Sequence, residues 1–508
     1  MALITEKLRG VMSVDPSAEV IEFKGHWFSW GQLAGVITSL EGLLDGMGLP
    51  IDAKVAVLLR NRPGHIAAAV AVLSTDRCLV TLNPILPDDK LFTDIAGLGA
   101  PVVIGEACDL QRPGMAAALD QSGAAVIEIG ALLEGAQFVT GREAPQRGIG
   151  RLAEGVAIEM LTSGTTGTPK RVPLTRKAFD ASFEAVTRYE KGRDFADAPR
   201  LRSGVQIVVN PITHIGGIYG VIGGLMAGRK MCLLERFSVE AWSDAIHRHQ
   251  PRVAPGVPAA LKMVLEADVP KEKLASLAAV ISGTAPLDSD VVDQFYAKYG
   301  VPILANYGAT EFAGAVAGWS IEDFRAHWSQ KRGAAGRVHA DIEARIVDPE
   351  TGELKPSGDE GVLELKGAQL GKQADWLRTT DRAILDTDGF LFIRGRADNA
   401  IVRGGFKIHP DEVVRVLEQH PAVREASVVG IKDERLGQVP VAAVILREGA
   451  EPPSVEALTV FAKSKLLPYQ APTRFIFVAD LPRTASMKPA LQQIVALFDE
   501  IAAGHPTP

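Results

Sequence analysis

Residues 161–175 have the types needed to hold a polyphosphate. The run LTSGTTGTPKRVPLT is rich in Ser and Thr and contains Gly164, Gly167 and Lys170. Glycines let backbone N–H groups turn toward an anion, hydroxyl groups add donors, and the lysine ammonium group supplies charge. A solvated hairpin loop is the alternative that composition leaves open. The position of Lys170 directly after Pro169 favours an anion-binding loop.

This run differs from the phosphate loop of mononucleotide-binding proteins, in which a longer spacing between glycines precedes a lysine and a helix. Here Gly164 and Gly167 are three positions apart, Arg171 follows Lys170, and Pro173 lies in the next segment. Proline is unfavourable inside a helix and is tolerated in edge strands. We therefore predict that the loop joins two strands.

A second chemical segment is NYGATE, at residues 306–311, where a predicted strand ends. The ring of Tyr307 can stack on a nucleobase, and the carboxylate of Glu311 can hold a hard divalent cation between phosphate oxygens. A strand end with a surface glutamate is the simpler alternative, and the segment alone does not exclude it.

Asp381 lies ahead of a predicted hairpin turn at Asp388 and Gly389. One carboxylate can accept hydrogen bonds from two vicinal ribose hydroxyls. An aspartate that bonds to its own turn is the alternative. His214 is a single histidine among apolar residues, which is usually a structural role, but its neighbours Gly216 and Gly217 would leave space for a ligand.

Lys488 precedes a predicted helix that runs from Pro489 through Phe498, with Ser486 as its N-cap. A cation at the positive end of a helix dipole costs a few tenths of a kcal/mol. Helix stability therefore does not explain Lys488. A solvated lysine remains the alternative, because an exposed charge at that position costs little free energy.

The composition bounds the class of protein. A chain of 508 residues predicts two or more domains, and a net charge of −7 argues against nucleic acid or an anionic membrane as the main partner. We expect no membrane span and a cytoplasmic location, because no long apolar run or leader is visible. Cys78, Cys108 and Cys232 show no metal-binding spacing and are predicted to be reduced thiols. The sequence leaves the oligomeric state, including a homodimer, undecided.

Strand and helix patterns alternate in two blocks, which predicts an α/β protein with two helix-covered sheets packed in one large N-terminal unit. The first block contains a hairpin around Gly25, a helix from Ser29 to Leu44, strands at 55–60, 78–84 and 101–105, and helices at 64–73 and after Pro87. The pattern weakens between 106 and 155. A helix at 176–189 precedes the second block, which contains strands at 206–210, 231–235, 277–283 and 302–308, a glycine-rich segment at 215–228, and helices ending at His249 and starting at Pro258 and Asp288.

The pattern of predicted elements changes after residue 340. Strands at 342–353, 361–367 and 389–396 predict a β-rich subdomain. A small α+β unit follows, with helices at 410–420, 454–465 and from Pro489, and strands at 426–431, 439–446 and 474–478. We predict a large domain over 1–397 and a small, mobile C-terminal domain over 398–508.

In this order, five segments resemble the motifs of the adenylate-forming superfamily, which contains acyl-CoA synthetases, firefly luciferases and the adenylation domains of peptide synthetases. The segments are TSGTTGTPK, NYGATE, TTDRAILDTDGFLFIRGRAD, GGFKIHPDEV and LPRTASMK. The resemblance extends from about residue 20 to about residue 490. Five motifs in register are very specific to this superfamily.

The resemblance implies an acid–thiol ligase that uses ATP, Mg²⁺ and coenzyme A. A carboxylate attacks the α-phosphate of ATP to give an acyl-adenylate and pyrophosphate, and a thiol then displaces AMP. Lys488 is implied to bridge the attacking carboxylate and the α-phosphate, and Glu311 to hold Mg²⁺. The residues implied to bind nucleotide are Thr162, Ser163, Gly164, Thr165, Thr166, Gly167, Thr168, Lys170, Gly283, Thr284, Ala285, Asn306, Tyr307, Gly308, Thr310, Asp381 and Arg396.

The resemblance also implies a change of conformation between the two steps. Asp398 matches the hinge about which the small domain rotates after adenylation. The rotation withdraws Lys488 and brings Gly404 and Gly405 toward the tunnel of the coenzyme A thiol, while the adenylate stays protected from water.

Three positions depart from the pattern of the superfamily, because Arg171, Thr380 and Met487 stand where glycine is usual. The segment 371–376 is also shorter than usual. These departures affect the expected loop geometry and rate more than the reaction type, because none removes a reacting group.

The acyl pocket is predicted to be apolar. No acidic residue occurs in Pro211–Gly217, where adenylation domains for amino acids carry one, and Asn306 stands where malonate-type synthetases carry a cation. The predicted lining is His214, Ile215, Gly216, Gly217, Ala309, Ala313 and Gly314. We therefore expect an uncharged fatty or aryl acid as the substrate and a role such as fatty acid metabolism, with His214 near the chemistry.

Free coenzyme A is the expected acceptor, because the chain ends 20 residues after Lys488 without a carrier module. Two alternatives remain open. The protein could form an adenylate only and donate it to a separate carrier protein, or it could be a non-catalytic nucleotide-binding relative.

Overall fold

The computed structural model describes residues 3–162, 170–187, 197–396, 399–403, 406–484 and 487–502. They form two compact units. One comprises the described residues up to Ile342 together with Gly367–Asp375, and the other comprises Glu343–Lys366 and the described residues from Trp376 onward. The predicted mixed α/β class is confirmed. The predicted boundary between residues 397 and 398 falls outside the described residues and stays a prediction.

The first unit contains the helices α1 to α12 and short 3₁₀ helices at Lys271–Leu274, Thr310–Phe312 and Ala368–Leu370. The helices are α1 (Leu3–Met12), α2 (Trp30–Gly46), α3 (Pro63–Ser74), α4 (Asp88–Gly97), α5 (Ala107–Leu110), α6 (Met115–Ser122), α7 (Arg176–Thr187), α8 (Ile215–Met226), α9 (Val239–His249), α10 (Pro258–Glu266), α11 (Ser289–Tyr299) and α12 (Ile321–His327).

The strands of the first unit form three groups. The individual strands are β1 (Glu19–Phe23), β2 (His26–Ser29), β3 (Lys54–Leu58), β4 (Cys78–Leu82), β5 (Val102–Gly105), β6 (Ala125–Ile129), β7 (Ala136–Phe138), β8 (Val156–Thr162), β9 (Lys170–Thr175), β10 (Val205–Val208), β11 (Lys230–Leu233), β12 (Val253–Pro255), β13 (Ala279–Ser282), β14 (Ile303–Ala309), β15 (Gly314–Gly318) and β16 (Gly336–Val338).

The largest group is a seven-stranded sheet in the order β7-β6-β5-β3-β4-β8-β9. Its central strands pair in parallel, and β7 and β9 pair antiparallel at the two edges. Every residue of β4 is buried, as expected for a parallel strand that is covered on both faces. The predicted alternation of strands and helices is confirmed here.

The N-terminal hairpin joins a different sheet from the one that its sequence position suggests. Ser29 caps α2 through a capping box with Gln32, as the sequence predicts in part. However, β1 pairs in parallel with β11, and the sheet order is β10-β11-β1-β2. β1 is thus paired on both edges, with β2 and β11, and four of its five residues are buried. The hairpin therefore belongs with the second block of the sequence.

The glycine-rich segment at 215–228 contains α8, which the sequence analysis did not identify as a helix. Its residues Ile218, Val221, Ile222 and Leu225 are buried and recur at the spacing of one helix face. Glycine disfavours a helix by about 1 kcal/mol per residue relative to alanine. Burial of this apolar face offsets that cost.

The weakly patterned region between 106 and 155 contains α5, α6, β6 and β7. Each of these elements is short, and glycines at 114 and 123 with positive φ flank α6. Short elements give few repeats of a pattern, which explains why the sequence analysis missed them. The third group of strands in the first unit runs in the order β12-β13-β14-β15-β16.

The second unit is built from strands and three helices among its described residues. The strands that lie wholly or mostly in it are β17 (Ile342–Val347), β18 (Glu360–Gly367), β19 (Lys372–Leu385), β20 (Phe390–Arg396), β21 (Ile401–Arg403), β22 (Phe406–Ile408), β23 (Val423–Asp433), β24 (Gly437–Leu446) and β25 (Arg474–Phe477). The helices are α13 (Pro410–Leu417), α14 (Val455–Lys465) and α15 (Leu491–Ala502).

Two sheets organise this unit. The strands β20-β19-β18-β17 are consecutive neighbours, and the C-terminal sheet has the order β22-β21-β24-β23, with β25 on β24. Leu417 of α13 and Leu458 of α14 bury one face of the C-terminal sheet, and Ile494 and Phe498 of α15 bury the other. The predicted α+β character of the C-terminal part is confirmed.

The predicted start of the last helix at Pro489, with Lys488 at its positive end, is wrong. The helix α15 begins at Leu491, and Pro489 instead forms an isolated antiparallel bridge with Arg483. The N–H of Ala490 donates to the Pro482 carbonyl at 2.7 Å, which keeps the chain extended up to the helix. The argument from the helix dipole therefore does not apply to Lys488, and the proposed N-cap, Ser486, lies outside the described residues.

Among the helices that the structure describes, none combines the length and the apolar character needed to cross a bilayer.

Candidate active site

The end of β14 presents Tyr307 and Glu311 in a tight reversal of the chain. The 3₁₀ helix Thr310–Phe312 carries Glu311, whose side chain is exposed, and the ring of the half-buried Tyr307 lies 6.0 Å from that of Phe312. Ala313 then adopts a left-handed φ of 52°, and β15 begins. An exposed carboxylate on a fixed turn is suited to a hard cation.

Two of the predicted nucleotide-binding segments lie side by side. β13 and β14 pair in parallel, with Ser282 opposite Ala305, so Gly283–Ala285 and Asn306 follow at the same edge of the sheet. A Cβ at Gly283 would lie 3.5 Å from the Asn306 carbonyl oxygen. The parallel register therefore brings together two segments that are more than 20 residues apart in sequence.

Glycines let β14 and β15 approach closely. A Cβ at Gly308 would lie 2.4 Å from the Gly314 carbonyl oxygen, and a Cβ at Gly318 would lie 2.3 Å from Oδ1 of Asn306. Any other residue at these positions would push the strands or the Asn306 side chain away. Gly308 is thus a packing requirement of the hairpin that presents Tyr307.

His214 lies at the start of α8, where its carbonyl oxygen accepts hydrogen bonds from the N–H groups of Gly217 and Ile218. The side chain of His214 is half-buried, and Gly216 is exposed. Gly217 is buried, and the space that its side chain would fill is taken by the Pro211 carbonyl oxygen, 2.0 Å from the Cβ position. The prediction of space at Gly217 is therefore wrong, because backbone occupies it, and within this segment the space near His214 is at Gly216.

A pair of hydroxyl groups, one on the buried Ser182 and one on the half-buried Tyr219, lies beside Gly314. Ser182 of α7 and Tyr219 of α8 are 2.9 Å apart, oxygen to oxygen, and a Cβ at Gly314 would lie 2.8 Å from Oγ of Ser182. The ring of Tyr219 stacks on that of Phe183 at 4.2 Å. Burial raises the pKa of Tyr219, so the phenol stays protonated. Ala313 is buried in the core, whereas Ala309 is half-buried.

Sequence reasoning missed Ser182 and Tyr219. Ser182 is in the middle of an amphipathic helix and Tyr219 is in a glycine-rich segment, so neither carries a motif. The signal that could have found them is the aromatic spacing of Phe179, Phe183 and Tyr219, whose rings contact one another in the folded chain.

Asn61 is a second residue that the sequence analysis missed. It follows β3, is 5% exposed, and its Nδ2 lies 3.1 Å from the carbonyl oxygens of Asn210 and Leu234. Its Oδ1 accepts from the Ile212 N–H at 3.0 Å. Asn61 thereby fixes the segment that leads to His214.

The turn that carries Asn61 is held by ion pairs on both sides. Arg60 makes two hydrogen bonds to the fully buried Asp109, of 2.9 and 2.6 Å. Arg62 contacts Glu106 at 2.5 Å and Glu235 at 2.6 Å. Each of these arginines meets carboxylates from other elements, so the turn has little freedom to move.

The predicted phosphate loop connects two antiparallel strands, as the sequence analysis predicts. β8 ends at Thr162, β9 begins at Lys170, and these two residues are partners in the register. Lys170 is exposed. The intervening residues Ser163, Gly164, Thr165, Thr166, Gly167 and Thr168 lie outside the described residues, so their predicted role stays a prediction.

Arg171, one of the three departures from the superfamily pattern, has a structural role. Its guanidinium lies 2.6 Å from Oδ2 of Asp94 in α4 and donates to the Thr81 carbonyl at 3.3 Å. Both partners of this ion pair are mostly buried, with 17% and 19% of their side chains exposed. Arg171 therefore anchors the strand that follows the predicted phosphate loop.

In the second unit, Asp381 and Arg396 face each other across two strands. They are register partners in the antiparallel pair β19 and β20. The guanidinium of Arg396 hydrogen-bonds to the hydroxyl of Thr380, which is the second departure. The N–H of Asp381 donates to Oγ1 of Thr379 at 3.1 Å. The strand pairing thus brings together the two predicted ribose-binding residues.

Asp411 is an additional acidic group near this pair. Its carboxylate packs against Gly395, whose φ is 125° and whose Cβ would lie 2.4 Å from Oδ2. Burial raises the pKa of Asp411, although the Arg396 backbone N–H donates to it. Asp411 belongs to the motif GGFKIHPDEV, but its residue type alone predicts no role, because an acidic residue in the first turn of a helix is common.

Lys488 lies in a tight turn and is exposed. Its carbonyl oxygen accepts from the Thr484 N–H at 2.8 Å, and its own N–H donates to Oγ1 of Thr484 at 3.2 Å. Met487, the third departure, has φ of 63°, in the region that favours glycine. The predicted hinge Asp398 and the predicted coenzyme A residues Gly404 and Gly405 lie outside the described residues.

Two family models match this chain. The model described as AMP-binding enzyme matches residues 9–373, and the model described as AMP-binding enzyme C-terminal domain matches residues 412–488. Among curated proteins, 4-coumarate–CoA ligase 3 of Oryza sativa subsp. japonica is 28% identical over 502 residues, which cover 95% of this chain and 89% of that protein. 4-Coumarate–CoA ligase 1 of Petroselinum crispum is 27% identical, over 93% of this chain and 90% of that protein.

Solved structures agree with this similarity. An ATP-bound RpMatB-BxBclM chimera has a TM-score of 0.82 at 25% identity and covers 97% of this chain and 98% of its own. An amide bond synthetase from Marinactinospora thermotolerans has a TM-score of 0.79 at 25% identity and covers 97% of this chain and 99% of its own.

A third structure, o-succinylbenzoate CoA synthetase from Bacillus subtilis with an acyl-adenylate intermediate, has a TM-score of 0.75 at 24% identity and covers 97% of each chain. At that identity the likeness concerns the fold alone. The adenylate-forming resemblance predicted from the sequence is confirmed by the family models, of which the larger spans more than half of the residues. The chain belongs to the AMP-binding enzyme family.

Proposed function

We propose that this protein is an AMP-forming acyl-CoA ligase. The observation that carries the proposal is similarity to 4-coumarate–CoA ligases over 95% of the chain. A carboxylic acid attacks the α-phosphate of ATP, pyrophosphate leaves, and the thiol of coenzyme A then displaces AMP from the acyl-adenylate. The residue types that this reaction needs are present as Glu311, Asp381 and Lys488.

In the first unit, the proposed roles concern phosphate and metal. The hydroxyl and backbone groups of 162–168 and the ammonium of Lys170 hold the β- and γ-phosphates. Glu311 fits Mg²⁺, because its exposed carboxylate follows a strand end that glycines hold in a tight turn. The bound Mg²⁺ would supply charge neutralisation between phosphate oxygens. Tyr307 and Gly283–Ala285, which lie at one sheet edge, take the adenine.

In the second unit, the proposed roles concern the sugar and the reacting oxygens. The carboxylate of Asp381 accepts hydrogen bonds from the ribose hydroxyls, and Arg396 opposite it lies near the ribose and a phosphate. Lys488 supplies a cation to the oxygens that gain negative charge as the carboxylate attacks. Preorganised charge of this kind stabilises the transition state and is usually the largest single contribution to catalysis.

We propose an uncharged aryl or fatty acid as the substrate. The 211–217 segment and Asn306 bring no charge to the predicted acyl pocket. The Ser182–Tyr219 hydroxyl pair beside Gly314 offers a neutral polar group. An apolar wall with one neutral polar contact suits an aryl acid that carries a hydroxyl group better than it suits a dicarboxylate.

The test is release of pyrophosphate across a panel of short, long, aryl and dicarboxylic acids, each with and without coenzyme A. We expect release that depends on an aryl or fatty acid, and an acyl-CoA product when coenzyme A is present. Lys488→Ala is expected to lower the rate of pyrophosphate release by about 100-fold or more. Lys432→Ala, at an exposed position of β23 in the same unit, is the matched control and should leave the rate unchanged.

Each outcome of the panel has a meaning. If no acid stimulates pyrophosphate release, the enzyme proposal fails and a nucleotide-binding relative remains. If release occurs but coenzyme A is never consumed, the acceptor is a different thiol or a carrier protein. If only dicarboxylic acids are activated, the proposed substrate class is wrong while the reaction type stands.

A further inference from the structure

Three side chains of the first unit converge at one buried point of the four-stranded sheet. Glu22 of β1 and Cys232 of β11 are register partners in the parallel pair, and His249 ends α9. One potential ligand atom from each lies within 4.8 Å of the other two. Glu22 and Cys232 are each 2% exposed. We propose that Glu22, Cys232 and His249 form a binding site for Zn²⁺.

The donor set matches this metal. Zn²⁺ binds thiolate, imidazole and carboxylate ligands in tetrahedral geometry, with metal–ligand distances of about 2.0–2.3 Å. Those distances place ligand atoms about 3.3–3.6 Å apart from one another. In the structure, Nε2 of His249 and Oε2 of Glu22 are 2.5 Å apart, joined by a hydrogen bond. Shifts of about an ångström would let the metal take the place of the proton shared by His249 and Glu22. The thiol of Cys232 would release its own proton to solvent as the metal–sulfur bond forms, and a water molecule would complete the coordination.

The neighbouring groups already orient the carboxylate of Glu22. Its other oxygen, Oε1, accepts from the guanidinium of Arg248 at 2.9 Å and from the Gly25 N–H at 3.1 Å. Oε2 is thereby directed to His249. Hydrogen bonds to the second oxygen of a metal-binding carboxylate are a usual part of metal sites. Arg248 is 51% exposed, so water screens its charge.

The aromatic environment limits the movement of the imidazole ring. The ring of Trp27 meets the ring of His249 edge to face, with centroids 5.8 Å apart. His249 itself is 11% exposed, which leaves a route for a metal ion to enter. The proposed site would join β1, β11 and α9, elements that are far apart in the sequence, and metal binding would stabilise the first unit.

This site does not depend on the proposed ligase function. Mg²⁺ prefers oxygen ligands in octahedral geometry and binds poorly to thiolates. The Mg²⁺ that adenylation requires is therefore not expected to compete for Cys232. Metal binding at this cluster could be absent in an active ligase or present in an inactive protein, so the two proposals can fail separately.

The test uses the intact, tag-free protein after dialysis against a chelator, with Co²⁺ as the spectroscopic probe. We expect one Co²⁺ per chain and a thiolate-to-cobalt charge-transfer band, which an excess of Mg²⁺ leaves unchanged and which Zn²⁺ removes by displacing Co²⁺. Cys232→Ser is expected to lose the band. Cys108→Ser, at an exposed free cysteine, is the matched control and should keep it.

Two further measurements keep the test valid if Cys232→Ser does not fold. His249→Gln is expected to weaken Co²⁺ binding by about tenfold or more. The wild-type protein is expected to melt at a higher temperature with Zn²⁺ than with the chelator. The proposal is wrong if the wild-type protein shows no charge-transfer band, if the band survives in a folded Cys232→Ser, or if the band is lost in Cys108→Ser.

Discussion

Replacement of Asn61 tests whether one buried amide holds the segment that leads to His214. Asn61 follows β3 of the seven-stranded sheet, and its partners Asn210, Ile212 and Leu234 belong to segments that follow strands of the four-stranded sheet. With three carbonyl oxygens within 3.4 Å of Nδ2 and an N–H directed at Oδ1, the contacts fix the orientation of the amide. Truncation would leave these backbone groups without their partner.

The expected cost follows from the number of groups left unpaired. A buried polar group that loses its hydrogen bond costs about 1–3 kcal/mol, and some of the partners of Asn61 can relax toward others. We therefore expect Asn61→Ala to lower the free energy of unfolding by about 3 kcal/mol, which is roughly a 100-fold change in the folding constant. Asn61→Asp keeps the acceptor but turns a carboxylate oxygen toward carbonyl oxygens, so it should cost at least as much.

The assay combines chemical denaturation with steady-state kinetics. Unfolding in urea gives the stability change, and the slope with denaturant shows whether the unfolding transition itself has altered. In the folded variant, the KM for the acid should rise more than the KM for ATP, because the released segment leads to His214. Asn83→Ala is the matched control, since Asn83 makes a local turn contact with the Ile85 N–H.

The reasoning would be refuted by a stable Asn61→Asp. That variant has nearly the same shape as the wild type, so packing alone predicts little change. If its free energy of unfolding lies within about 0.5 kcal/mol of the wild-type value, the hydrogen bonds to the carbonyl groups do not hold the segment. An equal loss of unfolding free energy in Asn83→Ala would also contradict this prediction, because it would show that a local turn contact costs as much as the buried contacts of Asn61.

Three other changes give separate tests. Arg171→Gly removes the contact with Asp94 and should raise the KM for ATP several-fold, and an unchanged KM would mean that the anchor is not needed. Gly314→Ala places a Cβ at φ of 142° against a buried hydroxyl, so kcat/KM for bulky acids should fall while ATP binding, measured by calorimetry, stays constant. Burial would raise the pKa of Glu106, but the hydrogen bond from His65 and nearby charge lower it to about 2 from 4.5. Its contribution to stability is complete above pH 4.5 and is lost as pH falls toward 2. The free energy of unfolding, measured against pH, should therefore fall less steeply below pH 4.5 in Glu106→Gln than in the wild-type protein. An equally steep fall in the two proteins would contradict this.

Local features of the fold could be predicted from the sequence because they depend on neighbouring residues. The cap at Ser29, the strand–loop–strand form around Lys170 and the hairpin that places Asp381 opposite Arg396 each follow from residue types within a short stretch. The motifs also identified the family. These signals combine geometry and chemistry over fewer than about 20 residues, a range in which backbone preferences act directly.

Other features depend on distant partners that no local pattern specifies. β1 reads as part of a local hairpin, yet its second partner is β11. The contacts of Asn61, the hydroxyl pair at Tyr219 and the cluster at Cys232 likewise join elements from separate parts of the chain. For Lys488, a local rule gave the wrong result, because the contact between Ala490 and Pro482 delays the helix start.

The parallel pairing of β1 with β11 has a consequence for synthesis of the chain. About 210 residues separate Phe23 from its partner Leu233. At 5–20 residues per second, a ribosome needs about 10–40 s to make that stretch. During this interval β1, which is mostly buried in the folded protein, has a partner on one edge only, so the nascent chain exposes a strand edge that invites aggregation or capture by a chaperone. A ribosome stalled before β11 should therefore carry a nascent chain that a chaperone binds, whereas one stalled well beyond it should not.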